Sequence, residues 1–126
     1  MPRKSSPTLT EAELQLMEII WERGAGTVAD VVAALPSNSQ LAYSTVLTTL
    51  RILERKGYLS HIQEGRAFIY KPVVDQKQAR QSALKHLLSR FFNNSPELLV
   101  LNVMEQEALD LNELERLKKL VDEKID

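Results

Sequence analysis

The sequence contains no cysteine. Disulfides and thiolate metal sites are therefore excluded, and the chain suits a reducing, cytoplasmic setting. Glycine is scarce, with 4 residues in 126, and neither GxGxxG nor GxxxxGK(S/T) occurs, so no phosphate-cradling nucleotide loop is expected. Long apolar runs are also missing. Leu98-Leu99-Val100-Leu101 falls far short of the roughly 20 residues that span a bilayer, so no membrane insertion is expected. Met1-Pro2-Arg3-Lys4 is not followed by the apolar stretch of a signal peptide, and nothing in it directs export. The two histidines, His61 and His86, lack an acid at metal-binding or relay spacing. No catalytic residues, metal ligands or cofactor are expected, and the chain does not read as an enzyme.

The chain does have 44% hydrophobic residues, the composition of a folded globular protein, and a net charge of -1 that is unevenly spread. Between residues 40 and 71, Arg51, Arg55, Lys56, Arg66 and Lys71 outnumber Glu54 and Glu64, a local +3. Residues 97–126 set Arg116, Lys118, Lys119 and Lys124 against nine acids, a local -5. Arg3 and Lys4 add a basic N-terminal tip. Positive charge thus gathers in the middle of the chain, where contacts to a polyanion would have to lie.

Hydrophobic periodicity divides the first seventy residues into three helices and a hairpin. Thr10-Glu11-Ala12-Glu13 has capping-box spacing, Leu9 and Leu14 occupy the positions of a hydrophobic staple, and Leu14, Met17 and Trp21, supported by Ile20, recur on a helical face that Gly24 ends. Thr27 caps a second helix over residues 28–35, stopped by Pro36, and Ser37-Asn38-Ser39 reads as a turn. A third helix spans residues 44–56, with Val46, Leu50 and Leu53 on one face. The period then changes from 3.6 to 2. Residues 58–63 and 67–71 read as strands joined by Glu64-Gly65-Arg66. This order is that of a winged helix-turn-helix, over residues 1–73.

Residues 74–126 read as a helical dimerisation domain. One helix covers residues 76–92, striped by Ala79, Ala83, Leu84, Leu87, Leu88 and Phe91; Asn93-Asn94-Ser95-Pro96 breaks it, with Ser95 as the next cap. The fifth helix, with Leu98 to Leu101 followed by Val103 and Met104, is apolar nearly all round and is expected to be buried on most sides. Asn112-Glu113-Leu114-Glu115 reads as a capping box opening a last helix striped by Leu114, Leu117, Val121 and Ile125. So much apolar surface on some fifty residues calls for a second copy of the chain. Leu87, Leu99, Val103, Leu114, Leu117 and Val121 are the candidate dimerisation residues. The fold class is mainly α with a small β-hairpin wing.

If the third helix is the reading element, its outward groups suit double-stranded DNA. Ser44, Thr45 and Thr48 offer hydroxyls to phosphates or base edges, and Arg51 and Arg55 can grip phosphate or guanine. Tyr43 sits beside them, and Arg66 at the hairpin tip can meet a flanking phosphate or minor groove. Tyr58, Phe68 and Tyr70 read as packing of the wing, Arg3 and Lys4 as a tail, and His86 as a helix-surface residue. Two other readings share this fold: a winged-helix protein-interaction module, and a regulator that responds to a small molecule.

Leu9-Thr10-Glu11-Ala12-Glu13-Leu14 with Trp21, Ala42-Tyr43-Ser44-Thr45-Val46, Lys56-Gly57-Tyr58-Leu59 and Glu64-Gly65-Arg66-Ala67 resemble the penicillinase-repressor family, of BlaI/MecI type. The likeness spans residues 7–125. It implies a homodimeric repressor of resistance-type genes on a palindromic operator, with the C-terminal helices as the dimerisation arm. It also implies a membrane-bound sensor protease, or a protease downstream of it, as a partner that cleaves the arm. The family motif for that cleavage is Asn-Phe within Leu-Asn-Phe. Leu101-Asn102-Val103 occupies the place here, so Asn102 and Val103 are the candidate bond, with the phenylalanine replaced. The copper-responsive branch carries C-terminal cysteines, which this chain lacks.

Overall fold

The computed structural model describes residues 8–107 and 109–125, and the side chain of Ile125 is not described. Arg3 and Lys4 lie outside the described residues. In order come α1 (Glu11–Arg23), α2 (Val28–Ala34), α3 (Tyr43–Arg55), β1 (Leu59–Glu64), β2 (Ala67–Pro72), α4 (Gln76–Phe91), α5 (Pro96–Glu107) and α6 (Leu111–Ile125). The chain divides into two compact units between His86 and Leu87. Among the described residues, no helix is long and apolar enough to cross a membrane.

Local chemistry starts the helices of the first unit. At α1 the Thr10 hydroxyl accepts from the Glu13 N–H at 3.1 Å while Glu13 accepts from the Thr10 N–H at 2.8 Å. Thr27 and Asp30 repeat the arrangement at α2, at 3.1 and 3.0 Å. This second box was not anticipated, because aspartate replaces the usual glutamate. Gly57, at φ 90°, turns the chain from α3 into β1, a backbone state that a Cβ would strain.

The core of this unit collects Leu16, Met17 and Ile20 from α1, Val31 from α2, and Val46, Leu50 and Leu53 from α3, each fully buried. Tyr58, Leu59 and Tyr70 close it from the hairpin side. The buried stripe of α1 differs from the expected one. Leu14 is 41% exposed and Trp21 only half-buried, while Leu16 joins the expected Met17 and Ile20 inside. Two overlapping i, i+3, i+4 patterns exist in this helix, and contact with α3 selects the second. Trp21 spends its polar end on the exit of the hairpin, its Nε1 donating to the Val74 carbonyl at 2.8 Å.

The hairpin is antiparallel, with Leu59 opposite Pro72 and Glu64 opposite Ala67. Its loop is therefore the two residues Gly65 and Arg66, one fewer than expected, because Glu64 completes β1. Gly65 has φ 63°, the left-handed value that the first central position of such a turn requires. Gly26 extends the ladder by one bridge, exchanging bonds of 3.0 and 2.8 Å with Tyr70.

In the second unit, Asn93 and Asn94 take left-handed φ of 49° and 59°, a state asparagine tolerates, and the Ser95 hydroxyl accepts from Leu98 N–H at 3.1 Å. Two expectations need correction. Helix α6 is capped by Asp110, which accepts from Glu113 N–H at 2.8 Å, rather than by Asn112, which already lies inside the helix. Helix α5 has no buried residue in the single chain: Leu98, Val100, Leu101, Val103 and Met104 are all exposed. An apolar face that runs round a helix cannot be covered by so few residues. The expected stripe of α4 is likewise largely uncovered, with only Ala79 buried and Leu84, Leu87 and Phe91 exposed.

Candidate nucleic-acid interface

Helix α3 is sharply two-sided. Val46, Thr49, Leu50 and Leu53 are buried, and the Thr49 hydroxyl is satisfied by the Thr45 carbonyl at 2.7 Å. Tyr43, Ser44, Thr45, Thr48, Arg51 and Arg55 are all exposed, as is Arg66 at the hairpin tip. The helix starts one residue earlier than its pattern suggested, which makes Tyr43 its first residue.

A cleft of about 490 Å³ separates α3 from the hairpin. Tyr43, Leu47 and Arg51 form one wall, Arg66 and Phe68 the other, and Thr27 to Ala29 the end. The cleft brings together Tyr43, Arg51 and Arg66. Ser44, Thr45, Thr48 and Arg55 lie outside it on the open surface of α3. Among the described residues neither Arg55 nor Arg66 has an ion-pair partner. The exposed surface thus offers cations and hydroxyls on a rigid helix, groups that suit phosphate oxygens and base edges.

Behind the cleft runs a polar layer that sequence reasoning missed. The Arg51 guanidinium lies close to the buried Tyr70 hydroxyl. Burial and then the nearby charge of Glu54 push the Tyr70 pKa up, outweighing the Arg51 guanidinium. His61 Nδ1 lies 2.8 Å from both carboxylate oxygens of Glu54, and its ring stacks on Phe68 with centroids 4.3 Å apart and planes 16° apart. The fold thus brings to His61 an acid that its spacing in the sequence did not reveal. The two residues are seven apart in sequence, a spacing that no metal or relay pattern uses, and the turn at Gly57 folds them together. Strand alternation from buried Leu59 was the available signal, because it points His61 back toward α3. Among the described residues no group of three His, Asp or Glu can hold a metal.

Glu13 and Lys56 fix α1 to the end of α3, with Nζ 2.7 Å from Oε1. The Glu13 side chain is only 6% exposed. Burial raises its pKa, but the Lys56 hydrogen bond, the Thr10 N–H and the Lys56 charge together outweigh that and leave it lowered.

Comparison with known proteins gives this arrangement a context. The penicillinase repressor family model matches residues 9–123. The penicillinase repressor of Bacillus licheniformis is 32% identical over 120 residues, covering 95% of this chain and 94% of that protein. The methicillin resistance regulatory protein MecI of Staphylococcus aureus strain N315 is 22% identical over 116 residues, covering 92% and 94%. Among solved structures, the DNA-binding domain of the repressor BlaI matches with a TM-score of 0.53 at 35% identity, covering 60% of this chain and 92% of that chain. The monomeric form of Bacillus licheniformis BlaI, solved in complex with the blaP half-operator, matches with a TM-score of 0.50 at the same identity and coverage. The family match runs from the staple before α1 into the last turns of α6, and the chain belongs to the penicillinase repressor family.

Proposed function

We propose that this chain is a DNA-binding transcriptional repressor that acts as a homodimer on a palindromic operator. Helix α3 enters the major groove and the hairpin lies beside it as the wing. The observation that carries this reading is the two-sided α3: its apolar side is fully used by the core, and its other side presents Ser44, Thr45, Thr48, Arg51 and Arg55 to solvent. Tyr43 and Arg66 extend that surface across the cleft. The DNA-bound relative supports the same reading by its likeness.

In this reading residues 1–73 bind DNA and residues 74–126 pair two copies. Leu87, Val103, Leu117 and Val121 are between 39% and 53% exposed in the single chain, and Leu99 and Leu114 are half-buried, so all six offer apolar area to a partner. One winged domain meets few base pairs, and linking two turns the second half-site into an intramolecular contact. Loss of the dimer would return each half to weak, salt-sensitive binding. Such a dimer is a natural target for induction by a sensor protease or a protease downstream of it. Asn102 and Val103 lie inside α5, and the Asn102 amide donates to the Leu98 carbonyl at 2.9 Å. Cleavage there requires local opening of the helix first.

The test is selection of bound duplexes from a random pool with the purified chain. An inverted repeat is the expected product. A single unrepeated site would refute the dimer, and no enrichment would refute DNA binding.

A further inference from the structure

The hairpin has little of its own to hold it in place. Ser60 through Phe68 are exposed along its length, and only Leu59 and Tyr70, at the inner end, are buried. A two-stranded hairpin is marginal in water without packing. Its outer half, which carries Arg66, therefore depends on whatever ties it to α3. Among the described residues, His61 ties the exposed part of β1 to α3 through Glu54.

We propose that His61 is a positioning residue for DNA binding: held by Glu54 of α3 and stacked on Phe68 of β2, it fixes the wing at the distance from α3 that lets Arg66 and Arg51 act on DNA together. The proposal rests on the DNA-binding reading above. An ionised carboxylate only accepts hydrogen bonds, so His61 must carry a proton on Nδ1, and the ring then lies flat under Phe68. Phe68 in turn forms the cleft wall next to Arg66, opposite Arg51. Arg51 lies near Tyr70, whose ring is 5.8 Å from that of His61. One imidazole thus touches both the reading helix and the strand that leads to the tip. No contact of His61 itself to DNA is required, because its Nδ1 bond to Glu54 and its stack on Phe68 both lie within the protein.

Two substitutions separate the ring from its bond. His61→Phe keeps the stack and loses the donor to Glu54, whereas His61→Gln keeps a donor and loses most of the stack. Because His61 is at the surface, both variants should keep the thermal midpoint of the parent chain within a few degrees. The experiment measures affinity of the full-length chain, and of these variants with and without Arg66→Ala, for a duplex that the parent chain enriches from a random pool. His61→Phe should weaken binding about fivefold, the order expected for one exposed charge-assisted bond, with His61→Gln recovering part of the loss. The decisive reading is the coupling: Arg66→Ala should cost several-fold in the parent chain and about twofold or less beside His61→Phe, since a loose wing no longer presents the arginine.

Equal costs of Arg66→Ala in both backgrounds would overturn the proposal while leaving DNA binding intact. So would a His61→Phe chain that binds as the parent does. Failure of the parent chain to enrich any duplex would overturn both readings.

Discussion

Lys56→Met should destabilise the N-terminal unit more than Glu13→Gln, although the two residues form one pair. The asymmetry follows from their surroundings. The Glu13 side chain is 6% exposed and that of Lys56 is 29% exposed. Removing the lysine strands a carboxylate that water hardly reaches. Breaking a buried pair from one side costs about 3–5 kcal/mol, and the Thr10 N–H still bonded to Glu13 reduces this to about 2–4 kcal/mol. Glutamine at residue 13 keeps an oxygen for the Thr10 N–H, and the lysine can rehydrate, so about 1 kcal/mol is expected. Trp21 is the only tryptophan and sits in this unit, so its fluorescence in a urea titration of the full chain at fixed concentration reports the right transition.

The pH dependence supplies the sharper check. The Glu13 pKa is lowered from its ordinary 4.5 in the folded chain. Its contribution is therefore complete above about pH 4.5 and is lost as pH falls through the lower folded value. In Lys56→Met, burial without a cation pushes the same carboxyl up, so acid relieves the variant while it weakens the parent. The stability gap should be wide near pH 7 and narrow below about pH 4.5. A gap that stays constant down to about pH 3.5, or a Glu13→Gln chain less stable than Lys56→Met, would refute the argument.

Arg51→Ala should weaken binding of the selected duplex by about 1–3 kcal/mol if it reads a base, whereas equal losses on random DNA and a shallower salt slope in gel shifts would make it a phosphate contact. Leu117→Asp places a charge on the exposed apolar stripe of α6 and should dissociate the proposed dimer in sedimentation, abolishing tight binding; a dimeric mutant would remove Leu117 from the proposed interface. Gly65→Ala meets no neighbour within 4 Å, so its cost, about 1 kcal/mol, should arise from the positive φ alone. A stable variant in thermal melts would contradict the turn assignment.

Elements written by local chemistry were readable from the chain. The Thr10 and Ser95 caps and the inner stripe of α3 each depend on residues a few positions apart and stand as expected, and the hairpin does so but for a loop one residue shorter. Choices settled by packing were harder. Whether α1 turns Leu14 or Leu16 inward depends on α3, which a one-helix pattern does not contain. The cap of α6 went to Asp110 because two competing acceptors lie two residues apart and only the backbone path decides between them. At the candidate site, the exposed residues of α3 could be named one by one, but the layer behind them could not. Glu54 with His61, and Arg51 with Tyr70, are meetings between a helix and a hairpin. Their geometry exists only once Gly57 has set the angle between the two.

The way the chain leaves the hairpin has a mechanical consequence. The Val74 carbonyl is held by the Trp21 indole at 2.8 Å, and the Val73 and Val74 N–H groups both reach the Tyr58 carbonyl, at 2.8 and 3.4 Å. A force drawing on the segment beyond Val74 would load these anchors together and pass into the first helix, rather than unzip β2 from β1 one rung at a time. Stress arriving from that direction would be shouldered by the tryptophan before the wing felt it.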